Sequence, residues 1–198
     1  MFAGHFGLAA AVKAKTPEVP IWALMLSTQL LDVLFVPLFL SGIEKIDNSL
    51  GTGYGKGIIH ADYTHSLLGA VIIAVLSGII AWRLWGKRGG LMIGALAFSH
   101  WLLDLLVHRM DMPILPGNAA GLPLLGFSLW QWPLISSALE VILVVAGAIL
   151  YYRSIRGTAL LSEGNQTLSK GARTRVILAG GVMAILLMLS LITDVVSH

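Results

Sequence analysis

The chain has 198 residues, 57% of them hydrophobic and 12% charged, with a mean hydropathy of +0.84. Soluble domains carry about 25% charged residues, so ordinary soluble enzymes, disordered chains and secreted disulfide scaffolds are excluded. Cysteine is absent, which rules out zinc–thiolate sites. The net charge of +3 sits in loops between apolar runs, the pattern of a membrane protein and not of a nucleic-acid binder.

The opening stretch 1–12 is apolar but too short to cross a hydrocarbon core of about 30 Å, which takes about 20 residues at 1.5 Å each. It has no basic flank before it and no cleavage site after it, so it reads as a half-membrane or surface helix and not a signal peptide. Five longer apolar segments follow, at about 20–42, 63–82, 91–108, 129–152 and 176–196. The expected fold is all-α: a single integral membrane domain over 1–198, a polytopic helical bundle of about five transmembrane helices plus the short N-terminal half-helix.

Basic residues orient the spans, because cytoplasmic loops carry the excess of Lys and Arg. Lys13, Lys15, Arg83, Lys87, Arg88, Arg153, Arg156, Lys170, Arg173 and Arg175 fall on one side if five spans alternate. Only Lys45, Lys56 and Arg109 fall on the other. This predicts a cytoplasmic basic side and an external C-terminus at His198. The glycine-rich stretch 51–57 reads as a flexible external loop, and Asn165-Gln166-Thr167 as a chance match to a glycosylation pattern. The tryptophans mark membrane interfaces.

Charged groups inside a bilayer are expensive, at about 2.5–3.5 kcal/mol each on insertion scales, so each asks for a partner. The spans contain Asp32, His100, Asp104 and Glu140, with His65 near an end. Counted from the basic side, Asp32 lies about 18 Å up, His100 about 14 Å, and Asp104 and Glu140 about 20 Å. His65 comes out at about 27 Å and His5 at about 12 Å. Groups from different helices therefore share one middle-to-outer layer. His100, Asp104 and His108 stand at successive i, i+4 steps on one helix face. An imidazole and a carboxylate so placed can grip one cation, and nitrogen and oxygen donors without thiolate suit zinc, with manganese or iron as alternatives. His60 and His65 add imidazoles nearby. His108, close to the water, reads as a solvated rim residue, and Asp194 as a solvated end.

Four boxes carry a family likeness: Gly4-His5-Phe6, Leu31-Asp32-Val33, His60 to Leu68 (HADYTHSLL), and Ser99-His100 to Asp104 followed by a loop with Pro113 and Pro116. Over residues 4–116 the chain resembles the YdjM-like family of membrane-bound, metal-dependent hydrolases of the bacterial inner membrane. Its opening Gly-His box, its His-x4-His-Ser box and its Ser-His-x3-Asp box are matched. Where the family's Asp-x-Asp-His box has a second Asp and a His, this chain has Leu34 and Phe35. Asp32 is left as the one ligand on that span, with Glu140 available as a replacement. The resemblance implies a metal site and a hydrolytic activity.

The expected function is a metal-dependent hydrolase in the lipid bilayer, acting on an ester or phosphoester of a lipid or lipid-linked substrate. Asp32, His65, His100 and Asp104 are the expected ligands of a divalent metal ion, with His5 and His60 as weaker candidates. Glu140 is the expected base, because burial raises a carboxylate's affinity for a proton. The loop 110–127, rich in Pro, Gly and Leu, is expected to form a rim at the headgroups. Two alternatives stand: a small ion- or proton-coupled transporter, for which the chain lacks inverted repeats, and a non-catalytic membrane subunit.

Overall fold

Small residues decide where the first helix, α1 (Phe2–Lys13), sits. A Cβ on Gly7 would stand 2.5 Å from the carbonyl oxygen of Leu143, and one on Gly147 would collide with the carbonyl of Gly7. Glycine at both positions lets α1 lie backbone to backbone against α5 (Pro133–Ser162), the close approach that small residues permit between membrane helices. Ala3, Ala9 and Ala10 are wholly buried, and α1 touches α2, α4, α5 and α6. Of the two expected placements, half-membrane or surface, the surface one is not what the structure shows: this short helix packs inside the bundle. The computed structural model describes residues 2–49, 57–162 and 168–196. Loop residues 51–56, Asn165-Gln166-Thr167, His198 and the Asp194 side chain lie outside the described residues.

The first apolar segment forms two helices, α2 (Ile21–Thr28) and α3 (Leu30–Leu40), bent by 54° at Gln29. The bend has a local cause. Ser27 and Thr28 turn their hydroxyls back onto the carbonyls of Leu24 and Met25, a pattern that bends helices. After α3 a short antiparallel hairpin pairs β1 (Lys45–Asp47) with β2 (Ile58–His60), Ile46 facing Ile59. These two strands of three residues each are a small addition to an otherwise helical fold, consistent with the all-α expectation.

The second and third apolar segments are joined in one assignment, α4 (Leu67–Val107), whose helical geometry fails at Trp85 (φ −130°, ψ 20°) and Gly86 (φ 72°, ψ 178°). A straight helix of 41 residues would be about 60 Å long, twice the hydrocarbon core. The break folds it back instead. A Cβ on Gly90 would stand 2.6 Å from the Gly78 carbonyl oxygen, and one on Gly94 2.9 Å from that of Ala74, so the two arms lie in backbone contact. The sequence suggests a loop through Arg83, Lys87 and Arg88; the structure needs only a tight turn, because glycine tolerates the conformation at 86. α5 and α6 (Lys170–Val196) complete the bundle.

Among the described residues, three helices, α4, α5 and α6, are long and apolar enough to cross a membrane, or four spans result if the bent pair α2–α3 counts as one. The five apolar segments of the sequence thus become three long helices and one bent pair. The distribution of side chains fits a lipid solvent. Leu40, Leu91 and Leu134 are 78%, 68% and 87% exposed, whereas His5, Glu44, His65, His100 and Asp104 are all buried, the reverse of a water-soluble protein.

Candidate metal centre

The helix break at Gln29 is the first positioning device. At the end of α2 the last carbonyls lack the N–H partners a continuous helix supplies, and that of Thr28 accepts instead from His100 Nδ1 at 2.6 Å. A carbonyl can only accept, so Nδ1 of His100 carries a proton and Nε2 is the ring nitrogen available to an ion. That nitrogen points inward, where His100 is wholly buried on the second arm of α4.

His65 is held in the same sense. Its Nδ1 lies 2.9 Å from the hydroxyl of Thr64, and its backbone carbonyl accepts from Trp101 Nε1 at 2.8 Å. The remaining Nε2 is 3.3 Å from His100 Nε2. Two imidazole nitrogens at this separation, on rings held from their far sides, stand close enough to share one ion.

Two carboxylates join them. Asp32 Oδ1 is 3.4 Å from His65 Nε2 and 3.5 Å from His100 Nε2. Asp104 Oδ2 is 3.1 Å from His100 Nε2 and 3.6 Å from His65 Nε2. Tetrahedral zinc with ligand distances of about 2.0–2.2 Å places its ligand atoms about 3.3–3.6 Å apart. The five distances fall at or close to that spacing. Nitrogen and oxygen atoms from α3, from the segment before α4 and from the second arm of α4 thus stand close enough together to hold a metal ion.

His5 lies on the other side of the cluster. Its ring stacks on that of His100, with centroids 4.1 Å apart and planes 9° from parallel. Its Nε2 is 3.3 Å from Asp104 Oδ1. Two sets of residues bring their ligand atoms close enough for an ion: His5, His100 and Asp104, and Asp32, His65 and His100. Both sets include His100.

Sequence reasoning passed over four residues around the cluster. His108, read as a solvated rim residue, is buried, with Nδ1 3.1 Å from Asp111 Oδ1 and Nε2 3.7 Å from Asp104 Oδ2. Asp111 also accepts from the backbone N–H of Ile59. The i, i+4 spacing from Asp104 carried the signal; its proximity to the loop concealed it. The loop 110–127 does more than form a rim, since Asp111, Met112 and Pro113 are buried and the Pro113 and Ile114 carbonyls take the first N–H groups of α4. Glu44 and Thr64, both buried, had no pattern to flag them.

Two expected site residues stand apart. His60 is exposed in β2, opposite Lys45, and belongs to neither ion-binding set. Glu140 is buried in α5 at 2% exposure, one turn before Leu143, and is also outside both sets. Leu34, at a position where the resemblance has a ligand, points outward, and Phe35 sets its ring edge-on to His65 at 6.1 Å.

The site is closed on most sides and open on one. The side chains of His5, His65, His100 and Asp104 are 0–6% exposed, whereas that of Asp32 is 41% exposed. Around this opening Val33, Val36 and Phe39 are themselves exposed. No family model, curated protein or solved structure matches the chain.

Proposed function

We propose that the chain is a metal-dependent hydrolase embedded in a bilayer, acting on an ester or phosphoester of a lipid or lipid-linked substrate. The observation that carries the reading is that Asp32 Oδ1 and Asp104 Oδ2 each lie 3.1–3.6 Å from His65 Nε2 and His100 Nε2, which are themselves 3.3 Å apart. Asp32, His65, His100 and Asp104 would hold the ion, and an all-nitrogen-and-oxygen donor set of this shape favours zinc over manganese or iron. Such an ion polarises an ester or phosphoester and acidifies a bound water. His5 holds the second oxygen of Asp104 and keeps Oδ2 turned inward. His60 takes no part.

The opening at Asp32 supports the substrate class. Its rim of Val33, Val36 and Phe39 is apolar and exposed, which suits acyl chains reaching the centre sideways from the bilayer. In this reading the two arms of α4 are separate crossings and α2–α3 a broken one, making five with α5 and α6. The basic loops then face the cytoplasm of a bacterial inner membrane. The resemblance of the four boxes to the YdjM-like hydrolases points the same way.

The test is elemental analysis of detergent-purified protein. Wild type should carry close to one equivalent of transition metal, and His100→Ala and Asp104→Ala should carry none above background. Wild-type protein free of metal, or variants that keep it, would overturn the assignment. Chelator-sensitive release of fatty acid or headgroup from a radiolabelled bacterial lipid extract, restored by zinc, then tests the reaction class.

A further inference from the structure

We propose that Glu44, acting through the hydroxyl of Thr64, is a positioning residue that holds His65 with its Nδ1 protonated and its Nε2 turned to the ion. The inference rests on the metal reading above and adds residues that no motif flags. Glu44 follows α3 and is wholly buried. A carboxylate there is costly unless its oxygens are satisfied. Oε1 accepts from the backbone N–H groups of Tyr63 and Thr64 at 2.9 and 2.8 Å. The Thr64 hydroxyl lies 3.0 Å from both Oε1 and Oε2.

A hydroxyl has one hydrogen and two lone pairs. A carboxylate offers only lone pairs, so the Thr64 hydrogen goes to Glu44. The Thr64 oxygen is then left to accept, and its third neighbour is His65 Nδ1 at 2.9 Å. The direction of the relay follows: Nδ1–H donates to Thr64, and Thr64 donates to Glu44. The arrangement is the one by which metal-binding imidazoles gain orientation and basicity from an outer carboxylate, here relayed by a hydroxyl. A carboxylate serving only to tie down the turn into α4 would need the two amides alone. The alignment of the hydroxyl between Glu44 and His65 goes beyond that task.

Two measurements on the full-length protein in detergent decide it. In protein with 15N-labelled histidine, wild type should show a solvent-protected Nδ1–H on His65, with or without metal. Thr64→Val, which keeps the shape and both backbone bonds to Glu44, should lose that signal, and Thr64→Ser should restore it. Cobalt(II), added alone as a probe, should bind Thr64→Val about 10–100-fold more weakly with an altered visible absorption, while Thr64→Ser matches wild type. Thr64→Val with wild-type cobalt affinity, an unchanged spectrum and a protected Nδ1–H would overturn the proposal. If wild type binds no cobalt yet its protected Nδ1–H vanishes in Thr64→Val, the positioning role stands and the metal reading falls.

Discussion

His100 donates to the carbonyl oxygen of Thr28 at 2.6 Å, a bond that exists because a helix is broken one residue later. In an unbroken helix the Thr28 carbonyl would belong to the N–H of Asp32. The break therefore places Asp32 at the start of a new helix and frees the acceptor that orients His100. One local defect serves two ligands. Replacing Ser27 and Thr28 together by alanine removes the hydroxyls that promote the bend. Zinc affinity should fall about 10-fold or more, as with other losses of outer-shell support. Competition with a chromogenic chelator measures it, and unchanged affinity would detach the bend from the site.

Ion binding should also appear as stability. A ligand bound only to the folded state contributes about 2.7 kcal/mol at a hundred times its dissociation constant. Zinc added to metal-free protein in detergent should raise the thermal midpoint of wild type and leave those of His100→Ala and Asp104→Asn where they were. An equal rise in all three would mean that zinc stabilises by binding elsewhere.

Much of this centre is legible in the amino-acid sequence alone, and the reason is the solvent. Hydrocarbon penalises Asp32, His100 and Asp104 so heavily that their presence in apolar spans predicts partners, and helical rise predicts their common level. Glu44 and Asp111 escape because they stand outside the spans, where polar residues are ordinary and no periodicity records the path of the chain; Thr64, at the start of the second span, escapes because an uncharged hydroxyl asks for no partner as a charge does. The reversal between the second and third segments is legible from Arg83, Lys87 and Arg88, but its tightness is not, because one glycine at positive φ turns the chain where the sequence suggests a longer loop. His60 misleads in the opposite sense. It shares a short motif with His65, but β2 carries it to the exposed edge of the hairpin opposite Lys45.

Glu140 separates ion binding from any later proton transfer. It lies outside both ion-binding sets, so Glu140→Gln should purify with the same metal content as wild type. If it is the base, hydrolysis of the lipid extract should fall by about 10²–10⁴-fold with metal retained. Metal loss as complete as that of Asp104→Ala would instead place Glu140 among the ligands.

Gly7 and Gly86 make a paired prediction, because substituting either would strain the same fold at a different distance from the candidate site. At Gly7 a methyl group would press on the Leu143 carbonyl at 2.5 Å, and backbone on both sides leaves little room to yield. Overpacking of this kind costs about 1–3 kcal/mol, and relief must move α1 away from α5, carrying His5 two residues away. Gly7→Ala should therefore lower both thermal stability and zinc affinity. At Gly86 the added methyl meets open space, but φ 72° with ψ 178° is a conformation that costs a non-glycine residue about 1–3 kcal/mol. Gly86 is some 14 residues from His100, about 21 Å along the arm. Gly86→Ala should lose a comparable amount of stability while keeping the metal content and affinity of wild type. Thermal unfolding and chelator competition on the two variants side by side check the contrast. Equal losses of zinc affinity in both would show that the centre responds to overall destabilisation and not to the placement of α1.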